Sequence, residues 1–420
     1  MKYFLLACAC VLSVTAYADQ EYRLDLKMLE SQVLSYSNGQ KAIEMERQAK
    51  GEQVSSKYSE LLPRIDFSTE LIKEYYPQSS LKIQEDIPYP PKWVYERKAL
   101  KAEESILKSK KEVDRQTLLN TIRKLYYQII FLEKKKSLLE KSLAIVQKFK
   151  SDSEKRYNKA YAPKADLNRA ILSLLSIEKN LQDADAELES SKKQLLIKFG
   201  KDRGTLSLSS ELVLNDKFLN IQESELRKNL QSQSSPSLRI DQLKADASRY
   251  QTEAFPYKYL PSFSLSALLP LNKETGAPLT DSLYGRPTYS VNINWNIFSG
   301  GADRFEQRRL LALKAAAEFE RQDGLVNYAS DSEKTLSTLL EGRNSYLKSR
   351  EGLPLWDELV ETSQRRFREG HISSKDMDDD IHRSLRYSTE FYEQTFEVIK
   401  NIADYCTLVG DETLFYDLML

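Results

Sequence analysis

The chain has 420 residues, of which 30% are charged, and a formal net charge of +0. That length can hold more than one hydrophobic core, so a repeat or a second domain is expected. Lys and Arg are interleaved with Asp and Glu, so no basic face marks the chain for nucleic acid and no overall field marks it for anionic lipid.

Residues 1–18 are a different kind of text. Lys2 precedes the apolar run YFLLACACVLSV, and Ala16-Tyr17-Ala18 follows. A basic start, a short apolar stretch and an A-x-A site predict a secretory signal peptide, with the mature chain beginning near Asp19. Cys8 and Cys10 lie inside it, and a lipoprotein alternative would cut before one of them at the loose lipobox Leu5-Leu6-Ala7-Cys8. No later stretch approaches the ~20 apolar residues of a spanning helix. Cys406 stands among Ile402, Tyr405 and Val409 at helical spacing, which predicts a small core residue and no disulfide framework.

The next signals are strands. In 64–71, Ile65, Phe67, Thr69 and Leu71 alternate with Arg64, Asp66, Ser68 and Glu70. A second strand is expected between 81 and 95, blurred by Pro88, Pro90 and Pro91. Helix is then predicted over about 97–161, from apolar positions stepping by four and three: Leu118, Ile122, Leu125, Ile129, Leu132, Leu139, Leu143 and Val146. At ~1.5 Å per residue such a helix is on the order of 100 Å long. After a turn at 160–163, with Pro163 at the first helical position, the stepping resumes through Leu167, Ile171, Leu174, Leu181, Leu188, Leu195 and Phe199.

The second half repeats the first. RYNKAYAPKADLNRAI (156–171) matches RFREGHISSKDMDDDI (366–381) at a constant offset of 210, which pairs Asp166 with Asp376 and Gly200 with Gly410. LLPRIDFSTEL (61–71) matches YLPSFSLSALL (259–269) at a slightly smaller offset. The organisation predicted is a repeat over 19–210, with a strand hairpin at about 62–95 and a helical hairpin at about 97–200. A second repeat follows over 211–420, with a strand hairpin at about 260–298 and a helical hairpin at about 302–409. In the later strands Phe263, Leu265, Ala267 and Leu269 oppose Ser262, Ser264 and Ser266, and Tyr289, Val291, Ile293, Trp295 and Ile297 oppose Ser290, Asn292, Asn294 and Asn296. The return helix carries Met377, Ile381, Phe391, Val398, Ile402 and Tyr405 in phase, Gly370 ends its predecessor, and Ser373 with Asp376 is a capping-box-like start.

A sheet with one apolar and one polar face fits two settings. A soluble sheet buries the apolar face on a core; a barrel wall turns it to lipid and the polar face to a lumen, with aromatics such as Tyr289, Trp295, Tyr75 and Tyr76 at the rim. Four strands are too few to enclose water, so a barrel would need several chains.

The order SPSLRIDQLKADASRYQTEAFPYKYLPSFSLS (235–266), VNINWNIFSGGADR (291–304), the Phe367-x-x-Gly370-x-x-Ser373-x-x-Asp376 hairpin and the closing Gly410 resembles the outer membrane efflux protein family, the TolC-like channels. The resemblance implies a mostly α fold with a transmembrane β-barrel contribution. Long antiparallel coiled-coil helices and four β-strands per protomer would build a homotrimeric channel-tunnel with a twelve-stranded barrel. It implies a location in the cell outer membrane with a long periplasmic extension. It also implies a passive exit duct for efflux or type I secretion, served by a periplasmic adaptor and an inner-membrane transporter of the RND, ABC or MFS type. On that footing Phe67, Phe263, Leu265, Val291, Ile293 and Trp295 would face lipid, and Asp66, Ser264, Asn292 and Asn294 the lumen. Pro163, Asp166, Gly370 and Ser373 would shape the periplasmic turns. Asp376 and Asp379, three apart on one helix face, would ring the pore constriction and favour cations; for Asp376 a helix-start carboxylate is the other reading. Asp378 and Asp380 are expected to be solvated or adaptor-facing.

Two departures stand out. Ala160 replaces the family's usual Gly, and Ile372 sits where the family can carry a locking Arg, with Arg366, Arg368 and Lys375 near enough to substitute. Only two histidines occur, His371 and His382, with no companions at metal spacing and no nucleophile elbow or phosphate loop, so no enzyme, metal or cofactor is expected. The alternative function is a periplasmic coiled-coil scaffold or adaptor without a channel.

Overall fold

A computed structural model describes residues 21–70, 78–201, 205–208, 211–231, 235–270 and 287–419. The expected signal peptide, Tyr75, Tyr76 and most of the loop after residue 270 lie outside them. In chain order the elements are β1 (Glu21–Leu24), α1 (Leu26–Tyr36), α2 (Asn38–Ser59), β2 (Arg64–Glu70), β3 (Gln78–Ile87), α3 (Pro90–Asn158), α4 (Lys164–Lys198), β4 (Thr205–Leu208), α5 (Asp216–Asn220) and α6 (Glu223–Gln231). They continue with α7 (Pro236–Ala254), β5 (Ser262–Pro270), β6 (Thr288–Asn294), α8 (Ala302–Glu369), α9 (Ser374–Val409) and α10 (Thr413–Met419). Two compact units result, one from Met1–Ser37, Gln116–Gln231 and Ser332–Leu420, the other from Asn38–Arg115 and Ser232–Asp331. Neither unit is one of the sequence repeats: each takes segments from both halves.

The unit holding 38–115 carries a four-stranded antiparallel sheet in the order β2-β3-β5-β6. β3 is complete before Pro88, and α3 begins at Pro90, seven residues before the helix start expected at 97. Pro90 and Pro91 occupy the first turn, where a missing N–H leaves no intrahelical bond unmade. The alternation in β3 is also imperfect, because Glu85 stands opposite Leu265 on the face that Leu81 and Ile83 share. That charge adds to the three prolines in blurring the strand's signal.

The other unit is helical apart from the parallel β1–β4 pair, which joins Leu24 to Leu208 in register. Its core contains Leu29, Ile122, Ile129, Leu195, Leu226, Ile402, Tyr405 and Phe415. Cys406 belongs to this core, and burial pushes its thiol pKa up, which leaves the sulfur protonated and inert. In α9 the inward stripe Met377, Ile381, Ser384, Ser388, Phe391, Thr395, Val398 and Ile402 keeps the three-four step throughout. In α4 the fully buried positions toward the turn are Ala170, Ser173, Ile177 and Ala184, while Leu167, Ile171 and Leu174 are only half-buried. Small side chains let α4 and α9 approach closely, so the leucines expected at the seam stand at its margin.

One buried ion pair ties the unit together. Arg123 on α3 donates through Nε to Glu30 Oε1 on α1 at 2.7 Å and through Nη2 to the Glu412 carbonyl at 3.2 Å. Tyr416 on α10 donates its hydroxyl to Glu30 Oε2 at 2.7 Å, and the guanidinium lies 4.3 Å from the Phe415 ring centre.

Candidate functional site

In the sheet, register fixes the faces. Directly opposed residues of antiparallel strands share a face. Phe67 opposes Leu81, Ile83 opposes Ala267, Leu265 opposes Val291 and Phe263 opposes Ile293, so one apolar face runs across all four strands. The other face opposes Asp66 to Lys82, Asp86 to Ser264 and Ser264 to Asn292, and ends at Ser262 with Asn294. Hydroxyls lace the polar side: Ser68 and Ser80 Oγ are 2.9 Å apart, Ser266 and Ser290 Oγ 2.7 Å. Arg64 Nε reaches Asp66 Oδ2 at 3.1 Å on the same face.

Both faces are open. Phe67 is 62% exposed, Val291 67% and Ile293 64%, and every residue of β6 is exposed. Trp295 lies just beyond β6, and its indole N–H donates to the Tyr259 carbonyl at 3.0 Å. At the helical end of the sheet Trp93 donates to the Lys57 carbonyl at 2.8 Å and meets the Tyr58 ring edge-on, and Tyr257 lies between Tyr89 and Tyr95. This aromatic cluster was missed in sequence because its members come from three separate segments; the spacing of Tyr89, Trp93 and Tyr95 was the available signal. Among the described residues no helix is long and apolar enough to cross a membrane, which says nothing of a β-barrel.

The second place is the pair of helix turns. Both close with the same two backbone bonds: Ala160 N–H to the Tyr157 carbonyl and Tyr161 N–H to the Arg156 carbonyl in one, Gly370 to Phe367 and His371 to Arg366 in the other. Ala160 and Gly370 both take the left-handed conformation, with φ of 60° and 84°. A Cβ there costs about 1 kcal/mol. Ala160→Gly is therefore expected to raise stability by about that amount and Gly370→Ala to lower it by at least as much, read as opposite shifts of the denaturant midpoint. Pro163 sits one place earlier than expected, at the N-cap with ψ of 156°, and α4 starts at Lys164. Asp166, in the first turn of α4, pairs with Arg169 at 3.4 Å.

The capping box at Ser373 is complete. The Ser373 hydroxyl donates to Asp376 Oδ2 at 2.7 Å and its amide at 3.2 Å, while the Asp376 amide donates to Ser373 Oγ at 3.2 Å. These donors hold the Asp376 carboxyl below the usual carboxylate range, so it is ionised at neutral pH. Because the folded value is the lower one, the contribution of the box is present above the ordinary carboxylate range and is lost as pH falls through the depressed value. Within one protomer the shift is thus opposite to that of crowded carboxylates. Asp379 follows three residues on and is half-buried.

Asp378 and Asp380, expected to be solvated or adaptor-facing, are half-buried and have partners within the chain. Asp380 accepts from Ser363 Oγ at 2.6 Å, and Asp378 Oδ1 lies 3.6 Å from His382 Nε2, which in turn is 3.1 Å from Ser173 Oγ. Ile372 packs on the small core at the turns, with Phe149, Phe367, Met377 and Ile381. Arg156 stands over Phe367, its guanidinium 4.9 Å from the ring centre, and donates through Nη1 to the Phe367 carbonyl at 3.2 Å. Sequence reading missed Arg156, since its partner is a backbone carbonyl 211 residues away; its alignment with Arg366 was the only clue.

No protein-family model matches the chain, and no curated protein sequence does. Solved structures do. The CmeC outer membrane channel of Campylobacter jejuni superposes at a TM-score of 0.76 with 15% identity, over 92% of this chain and 85% of that one. VceC, an outer membrane protein of Vibrio cholerae, gives 0.76 and 13% over 92% and 96%. The open state of the MtrE outer membrane channel of Neisseria gonorrhoeae gives 0.77 and 14% over 92% and 89%. Four strands with an apolar and a polar face, long helical hairpins and a match along 92% of the sequence give this chain the fold of these outer-membrane channels.

Proposed function

We propose that the chain is the exit duct of an export system. Three copies close a β-barrel in the outer membrane, and their long helices form a water-filled passage through the periplasm. The observation that carries this reading is the sheet with an apolar face left bare: Phe67, Val291 and Ile293 are each more than 60% exposed. A soluble scaffold or adaptor would cover such a face with a core, and large apolar patches on a soluble surface are rare. In hydrocarbon the free edges of β2 and β6 cannot stay unpaired, since each open backbone group costs several kcal/mol there. Pairing β6 of one copy with β2 of the next removes both edges. Phe67, Phe263, Leu265, Val291, Ile293 and Trp295 then meet lipid, and Asp66, Ser264, Asn292 and Asn294 meet the water of the pore.

On this reading the duct is passive and needs no catalytic group or cofactor. Energy comes from an inner-membrane transporter of the RND, ABC or MFS type through a periplasmic adaptor, in an efflux pump or a type I secretion system. Asp376 and Asp379, from three copies, ring the periplasmic entrance. Reconstituted in planar bilayers, the chain is expected to conduct with a preference for cations. Asp376→Asn with Asp379→Asn is expected to lower that preference, the amide oxygen still accepting from Ser373. Absence of conductance sinks the duct; unchanged selectivity removes the two carboxylates from the constriction.

A further inference from the structure

We propose that Arg366 makes on a second copy of this chain the bond that Arg156 makes within one; this rests on the duct reading, which needs several copies side by side. Arg156 and Arg366 are partners in the internal repeat, as are Tyr157 and Phe367, and the two turns close with the same pair of backbone hydrogen bonds. Within one chain the Arg156 guanidinium covers the Phe367 ring and donates to its carbonyl at 3.2 Å. That carbonyl therefore uses both acceptor positions, one for the Gly370 amide and one for Arg156. Among the described residues the equivalent Tyr157 carbonyl accepts from the Ala160 amide alone, and a carbonyl accepts two bonds. Arg366 is exposed and makes no side-chain hydrogen bond or ion pair among the described residues.

The apolar contact beside the bond has the same incompleteness. Phe149 and Phe367 are each 2% exposed and meet edge-to-face with ring centres 5.1 Å apart. Their repeat partners, Leu359 and Tyr157, are each 39% exposed. One chain thus fills one copy of a duplicated contact and leaves both halves of the other uncovered. A neighbouring copy supplies the missing partner for each: its Tyr157 meets Leu359, and its Tyr157 carbonyl meets Arg366. Ala160 does not obstruct this. At Gly370 an added Cβ would lie 3.9 Å from Arg156 Nη2, an ordinary contact, so the methyl of Ala160 fits beneath Arg366 in the same way.

The test uses the full chain in outer-membrane fractions. Leu359→Cys with Tyr157→Cys is treated with a short bis-maleimide, with each single variant as control, and lysine-reactive cross-linking reports whether copies associate at all. The expected result is covalent dimers and trimers for the pair only. Arg366→Ala in the paired background is expected to lower the thiol-linked yield roughly tenfold, the equilibrium worth of one hydrogen bond to a charged group, while lysine cross-linking persists. Association without a thiol ladder overturns the inference and leaves the duct standing. A ladder insensitive to Arg366→Ala overturns the bond. Absence of any association overturns the duct and this contact together.

Discussion

Glu30→Ala is expected to lower the unfolding free energy by about 3–5 kcal/mol, the cost of stripping one partner from a buried ion pair. The Arg123 side chain is 3% exposed and cannot turn to water when the carboxylate is removed. The loss spreads to α10, because Tyr416 donates to the same carboxylate and Arg123 holds the Glu412 carbonyl. Early proteolysis near the C-terminus should therefore accompany the lowered denaturant midpoint. Replacing both partners, Glu30→Leu with Arg123→Met, is expected to cost far less than the sum of the single changes, since no charge is left stranded. Additive losses would show that the pair contributes through packing alone.

Leu265→Arg and Ser264→Arg are expected to part company completely. They are neighbours on β5 and point to opposite faces of the sheet. A guanidinium on the lipid side of a barrel costs about 2–4 kcal/mol near the bilayer midplane, repeated in every copy, so Leu265→Arg should abolish the heat-modifiable species in outer-membrane fractions. Ser264→Arg places the charge near Asp86 and Asn292 on the polar side and should assemble normally with altered conductance. The reverse outcome would exchange the lipid and lumen faces; equal tolerance of both would return the sheet to water.

Much of this arrangement was legible in the sequence because the sheet has one apolar and one polar face. Phe263 to Ala267 and Tyr289 to Ile293 alternate without a break, and alternation needs no tertiary knowledge to read. The same holds for Ser373 and Asp376, whose bonds are local. What stayed hidden depends on distant partners. Ser173, Ser384, Ser388 and Thr395 are buried, and polarity argued against them until α9 was seen against α4. The four residues of Thr205–Leu208 alternate too, but so short a run acquires meaning only from the parallel partner at Glu21–Leu24. Asp380 read as a surface charge because Ser363, its donor, belongs to the preceding helix.

Each compact unit takes strands or helices from both halves of the chain. Neither half can bury its apolar stripes alone, because the residues that cover them belong to the other half. Severed at the junction, the halves should still require one another.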